Sequence, residues 1–178
     1  MQGVNFVNRA IALCEGRGAV LDIGCGTGSK ILEKLLAEGF HATGIDISNE
    51  MLKIAKERYP AVEFVRADIG EWIPSKKFQI VVAWDSIFHL CHENHRSVIE
   101  KMCAILNDGG VMLFTAGGID GEIEGSVFGE RFTYSSLADT SLLDIIKQCG
   151  CVPVLMERDQ YPLHHLVVIA IKAQQHAV

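Results

Sequence analysis

The stretch Asp22-Ile-Gly-Cys-Gly-Thr-Gly28 constrains the chain most, because three alternating glycines stand directly after a short apolar run, 19–24, and directly before a helix-patterned segment. Glycines there let a ligand lie against the backbone, beside the free N–H groups of a helix N-terminus. The same alternation continues along the chain. A lead helix over Val4 to Cys14 precedes the first strand. A helix from Thr27, with Ile31, Leu32, Leu35 and Leu36 on one face, stops at Gly39. Strands follow at 41–46, 62–65, 78–84 and 111–116. Ser48 caps a helix that runs to Pro60, and Val98, Ile99, Met102, Ile105 and Leu106 mark another closed by Gly109 and Gly110. A last helix through Leu142, Leu143, Ile145 and Ile146 reaches Gly150 and leads to strands near 152–158 and 165–172. Strands and helices alternating over short links imply an α/β fold, a doubly wound, mostly parallel sheet with helices on both faces. Such sheets bind ligands at the carboxyl ends of their strands.

At 178 residues the chain is expected to form a single domain over 1–178, opening on a helical lead over 1–18. Its net charge of −6 comes without a Lys/Arg block, which disfavours nucleic acid as a partner. No apolar stretch reaches the ~20 residues of a membrane span, and the N-terminus lacks a signal-peptide core, so no membrane association is expected. The six cysteines include no C-x-x-C pair and read as reduced thiols of a cytoplasmic protein.

The dinucleotide fingerprint is spaced G-x-G-x-x-G, and here the third glycine comes one residue early. Asp46 ends the second strand, where a carboxylate can accept from both hydroxyls of a ribose, a role common to several nucleotide-binding folds. Asp68, after the third strand, reads either as an acceptor for an adenine amino group or as a solvated loop acid. The segment VLDIGCGTG at 20–28 resembles the first motif of the class I S-adenosylmethionine (SAM)-dependent methyltransferases. GIDIS at 44–48, ADIGEW at 67–72, VVAWDSIFHL at 81–90 and LNDGG at 106–110 extend the resemblance over nearly the whole chain, in the family's order. It implies a Rossmann-like, seven-stranded sheet with its last strand antiparallel, SAM as cofactor and S-adenosylhomocysteine as product. Carried onto matching positions, it implies cofactor contacts from Asp22, Gly24, Cys25, Gly26 and Gly28, from Asp46, Ile47 and Met51, from Asp68 and its apolar neighbour Ile69, and from Trp84 and Asp85. Asp22 touches the cofactor directly or only through water while organising backbone N–H groups. Cys25 and Trp84 contribute chiefly through their backbones.

Methyl transfer from a sulfonium is an in-line displacement, so the protein mainly aligns the reacting atoms, and a base is needed only where the acceptor loses a proton. The fourth-strand motif, Ala83-Trp-Asp-Ser-Ile-Phe-His-Leu90, lacks the Asn/Asp-Pro-Pro-Tyr-like sequence of enzymes that methylate nucleobase or glutamine amino groups. Asp85 pairs with the SAM ammonium or the substrate, or is simply an acid at a helix start. His89 is the candidate catalytic base and a substrate ligand, with packing as its alternative role. Tyr134 and His165, the latter preceded by His164, are the other candidate substrate-binding residues. The run from His89 to His95 carries ligand-type residues, but no second pair has zinc-motif spacing, and no metal is expected. The glycine-rich segment 116–134 reads as a lid over the acceptor or as a plain surface loop. The function expected is SAM-dependent methyl transfer to an oxygen or nitrogen of a small-molecule acceptor. The alternatives are a SAM-binding regulatory or partner protein without methyl transfer and, disfavoured by the glycine spacing, an NAD-dependent oxidoreductase.

Overall fold

The computed structural model describes residues 3–117, 120–127, 130–159 and 165–174. In chain order the elements are α1 (Val4–Ala12), β1 (Ala19–Ile23), α2 (Lys30–Ala37), β2 (His41–Asp46), α3 (Asn49–Arg58), β3 (Glu63–Arg66) and β4 (Phe78–Ala83). Two short 3-10 turns, Ile87–His89 and His92–Asn94, lead into α4 (His95–Ala104). Then come β5 (Leu106–Ala116), β6 (Gly121–Val127), β7 (Glu130–Ser136), α5 (Asp139–Gln148), β8 (Cys151–Asp159) and β9 (His165–Lys172).

Seven strands form one sheet in the order β3-β2-β1-β4-β5-β9-β8. Strands β1 to β5 pair in parallel, whereas β9 runs antiparallel between β5 and β8. This is the expected doubly wound architecture. Each central strand is apolar on both sides, as a sheet covered on both faces requires. Leu21, Ile23, Val81, Ala83, Met112, Phe114 and Val168 share one core with Val98, Ile99 and Met102 of α4 and Leu142, Ile145 and Ile146 of α5. Their neighbours in sequence, Val20, Ile80, Val82, Val111, Leu113 and Val167, face the other way with Val7, Ala10 and Ile11 of α1 and Ile31 and Leu35 of α2. Apart from the alanines, each such side chain contributes about 1.5–3 kcal/mol when fully buried. The paired layers hold the strand ends rigidly.

Several boundaries differ from the sequence reading. Helix α2 starts at Lys30 rather than Thr27, because Ser29 is the N-cap and accepts from the Leu32 N–H, leaving Thr27 and Gly28 in the ligand-edge loop. Helix α4 ends at Ala104, and Ile105 and Leu106 are not part of it. Gly109 and Gly110 lie inside β5 and do not stop a helix: a Cβ at Gly110 would come within 2.8 Å of Asn107 O and 3.1 Å of Phe78 O. Gly110 permits close backbone approach where the β4–β5 register shifts between Phe78 and Ile80, while Gly109 takes a positive φ of 71°. The segment expected to be a lid or a loop is instead largely a two-stranded antiparallel hairpin, β6–β7, with Ile123 opposite Tyr134. Positions 118, 119, 128 and 129 of that segment lie outside the described residues. Among the described residues no helix is long and apolar enough to cross a membrane.

Candidate functional site

The glycine loop takes the backbone conformation its sequence implies. Gly24, Gly26 and Gly28 all have positive φ, at 65°, 53° and 83°. The three do different jobs. A Cβ at Gly24 would stand 2.4 Å from Ser86 Cβ, and one at Gly28 2.3 Å from the Tyr59 ring, so both are required by packing. A Cβ at Gly26 would meet nothing within 4 Å, leaving room over the loop.

Asp46, at the end of β2, organises the loop: Oδ2 accepts from the Gly26 N–H and Oδ1 from the Ser48 N–H, each at 2.9 Å. Carboxylate oxygens have further lone pairs to offer a ligand. Asp22 is buried on β1, with Oδ2 lacking any hydrogen-bond partner. Burial first, and the nearby Asp46 charge second, push its carboxyl up to about 7. Such an orphaned acid awaits a cationic or donor group. Raising a folded-state carboxyl costs stability as pH rises from the unfolded value toward 7, where the unfolded chain ionises freely and the folded one does not. Asp22→Asn is therefore expected to stabilise the free protein at pH 7–8 by about 1–3 kcal/mol and to weaken binding of S-adenosylhomocysteine. Urea unfolding and calorimetry on the variant check both, and a loss of stability would contradict the orphan assignment.

Cys25 is buried with Leu32, Leu52, Ala55 and Phe64, away from the loop surface, and burial pushes its thiol far up, which suits a backbone role and no nucleophile. Its N–H donates to Ile45 O, as does that of Gly24. Past Asp46, Ile47 is 68% and Met51 45% exposed, two apolar side chains left open at the strand ends. Ile47 lines a cavity of ≈ 490 Å³ with Arg66, Ala67, Asp68, Glu71 and Trp72. Asp68 Oδ1 accepts from the Gly70 N–H at 2.7 Å. Ile69 differs from expectation: its side chain is buried in the core with Ile45 and Val98, and it does not line the cavity. Trp72, Arg66 and Glu71, which the sequence reading passed over, do so instead. For Glu71 and Trp72 the signal was the ADIGEW motif itself, whose Trp72 lies one turn beyond Asp68, and Arg66 stands directly before that motif.

Across the loop from this cavity, the carboxyl end of β4 continues through Trp84 and Asp85. The Trp84 ring packs toward Phe6 and Gly3 of the α1 side, leaving its backbone at the sheet edge. Asp85 has φ +50°, the one positive value at a described residue other than glycine. Its N–H donates to Thr115 Oγ1 at 2.8 Å, and the same hydroxyl donates back to Asp85 Oδ1 at 3.2 Å. Because β9 runs antiparallel to β5, with Leu166 opposite Ala116, its first residue lies at this same edge. His165 Nδ1 stands 3.4 Å from Asp85 Oδ1. The His165 and Phe88 rings are 5.5 Å apart, Phe88 and Tyr134 5.3 Å, and His89 and Tyr134 5.2 Å. Thus His89, Tyr134 and His165 form one cluster. Burial lowers the His89 imidazole, partly offset by the Asp85 charge, so it is neutral at pH 7.

The ligand-type residues after His89 do not converge. His92 Nε2 lies 3.1 Å from Asp120 Oδ1, while His95 is buried with Nε2 2.8 Å from Ser135 Oγ. They tie β7 and its approach to α4. Among the described residues no group of three or more such side chains could hold a metal ion. His164 lies outside the described residues.

A family model described as a methyltransferase domain matches residues 20–110, just over half of the chain and the portion that carries the loop, both acids and the Asp85–His89 segment. The chain belongs to the class I SAM-dependent methyltransferase family. A trans-aconitate 2-methyltransferase from Paracidovorax citrulli is 40% identical over 96 residues, covering 52% of this chain and 36% of that protein. One from Rhizobium etli is 33% identical over 95 residues, with the same coverage of 52% and 36%. The methyltransferase chain thus spans about a third of the length of these curated relatives. Its fold is similar to that of a SAM-dependent methyltransferase from Methanosarcina mazei, with a TM-score of 0.78 at 17% identity, covering 98% of this chain and 99% of that one. A SAM-bound amino pentose methyltransferase from Micromonospora echinaspora superposes with a TM-score of 0.76 at 15% identity, covering 96% and 89%. The residues fit the family's cofactor. Asp22 Oδ2 lacks a donor, Gly26 has space above it, and the Asp68 cavity offers both an acid and apolar walls.

Proposed function

We propose that this methyltransferase, acting as one domain over 1–178, transfers the methyl group of SAM to an oxygen or nitrogen of a small-molecule acceptor. The observation that carries the reading is the contact between Gly24 and Ser86, which sets the cofactor loop directly against the segment bearing Asp85 and His89. Donor cradle and acceptor cluster then share one cleft. When bound, SAM supplies a methyl carbon made electrophilic by its sulfonium.

The chain's own residues bind and align. Asp22 Oδ2 gains a partner from the amino-acid end of the cofactor, directly or through water. Asp46 uses its remaining lone pairs for the ribose hydroxyls, and the backbone around Gly24, Cys25, Gly26 and Gly28 packs beside the methionine part. Ile47 and Met51 cover apolar surface, Asp68 accepts from the adenine amino group, and Ile69 contributes through its backbone. The backbone of Trp84 and the Asp85 carboxylate border the reacting end. His89, Tyr134 and His165 receive the acceptor, and an imidazole of this cluster can take up a proton. Curated relatives named for trans-aconitate and a structural neighbour described as an amino pentose enzyme support a small acceptor. Six free cysteines among the described residues support a reducing, cytoplasmic setting.

Titration with S-adenosylhomocysteine, and in parallel with NADH, tests the premise. Micromolar binding of the first and none of the second is expected, followed by turnover of radiolabelled SAM on at least one small hydroxyl or amine compound. Binding of NADH alone would return an oxidoreductase, and cofactor binding without transfer to any acceptor would favour a regulatory protein.

A further inference from the structure

The Asp85–Thr115–His165 arrangement does more than line a pocket. Asp85 is held in a conformation costing about 1–3 kcal/mol for a side chain other than glycine, and the buried Thr115 fixes it by donating and accepting at once. Strain maintained by a dedicated partner marks a placed carboxylate. His165 presents Nδ1 to it from β9, and this nitrogen is buried without a hydrogen-bond partner, 3.4 Å from Asp85 Oδ1. Catalytic hydrogen bonds are often long before substrate binds and tighten afterwards. A carboxylate accepts only, so the proton shared across this gap must sit on Nδ1, leaving the Nε2 lone pair bare. His89 has no comparable device: no hydrogen bond to a described residue orients its ring, which stands beside those of Phe88 and Tyr134.

We propose that His165, rather than His89, is the general base of the transfer, that Asp85 is its positioning residue, and that the acceptor is therefore a hydroxyl or amine rather than a carboxylate. The inference rests on the methyltransferase reading above. The acceptor's lone pair forms the bond to the methyl carbon while the carbon–sulfur bond breaks and its electron pair stays on sulfur. The acceptor's O–H or N–H proton passes to Nε2 of His165. A carboxylate is already ionised at neutral pH and leaves the base nothing to do.

The test has two arms on the full chain bound to S-adenosylhomocysteine. Nitrogen-15 NMR of the His165 ring is expected to show the Nδ1–H tautomer, shifting toward Nε2–H in Asp85→Asn; an Nε2–H ring in the native protein, or no change in the variant, would overturn the proposal without any acceptor in hand. With radiolabelled SAM, turnover is expected on phenols, alcohols or amines and not on trans-aconitate. His165→Ala should then lower kcat at least ~100-fold, with KM for SAM unchanged and partial rescue by added imidazole. Methylation of trans-aconitate at a rate indifferent to His165→Ala would also overturn it. Failure to bind S-adenosylhomocysteine at all would instead sink the cofactor reading on which the proposal rests.

Discussion

Asp46→Ala is expected to lower S-adenosylhomocysteine affinity at least ~100-fold, about 2.7 kcal/mol, in calorimetry. The carboxylate is asked to do two things. It holds the loop by accepting from the Gly26 and Ser48 N–H groups, and its free lone pairs take the ribose hydroxyls. Hydrogen bonds to a charged acceptor contribute about 1.5–3 kcal/mol each, so the truncation removes loop order and ligand contact together. Asp46→Asn separates the two, because its side-chain oxygen can still accept one backbone N–H but its NH2 group only donates. Asparagine should keep the melting temperature closer to native than alanine does while still losing most of the affinity. Retention of binding within tenfold in Asp46→Ala would remove this residue from the cofactor site. NADH should bind neither variant nor the native protein.

The glycine loop and the residues around it were readable in sequence because their structure is local. The glycine loop, the strand-ending Asp46 and the Ser48 cap each follow from residues a few positions apart, and the structure reproduces them. What escaped was set at long range. Gly109 and Gly110 look like a helix stop, yet both lie within β5 and Gly110 serves a close pass of Asn107 and Phe78 backbone that only the β4–β5 pairing creates. The segment after Ala116 reads as flexible from its glycines, whereas seven paired positions from Gly121↔Ser136 to Val127↔Glu130 make it a hairpin. The Asp85–His165 approach joins residues 80 apart and depends on β9 reversing direction beside β5. Nothing near either residue in sequence encodes it.

The three loop glycines are expected to part company on substitution, and the contrast separates packing from ligand space. Gly28→Ala places a methyl 2.3 Å from Cε2 and 2.8 Å from Cδ2 of Tyr59. That ring cannot simply swing aside, since its hydroxyl donates to Glu33 Oε1 at 2.8 Å and the Arg58 guanidinium lies 5.3 Å from its centroid. Arg58 in turn donates to Thr27 O and Gly28 O, closing α3 onto the loop. The left-handed backbone penalty and the overpacking together should cost about 2–5 kcal/mol, read as a lower urea midpoint. Gly26→Ala pays only the backbone part, about 1–2 kcal/mol, because its methyl meets no protein atom within 4 Å. That open space is where the cofactor must lie if the family's chemistry operates here, so affinity for S-adenosylhomocysteine should fall at least ~100-fold in a protein that still folds. An alanine at 26 that left binding within threefold would put the ligand elsewhere, whereas equal destabilisation by both variants would mean that Gly26, too, is held by packing.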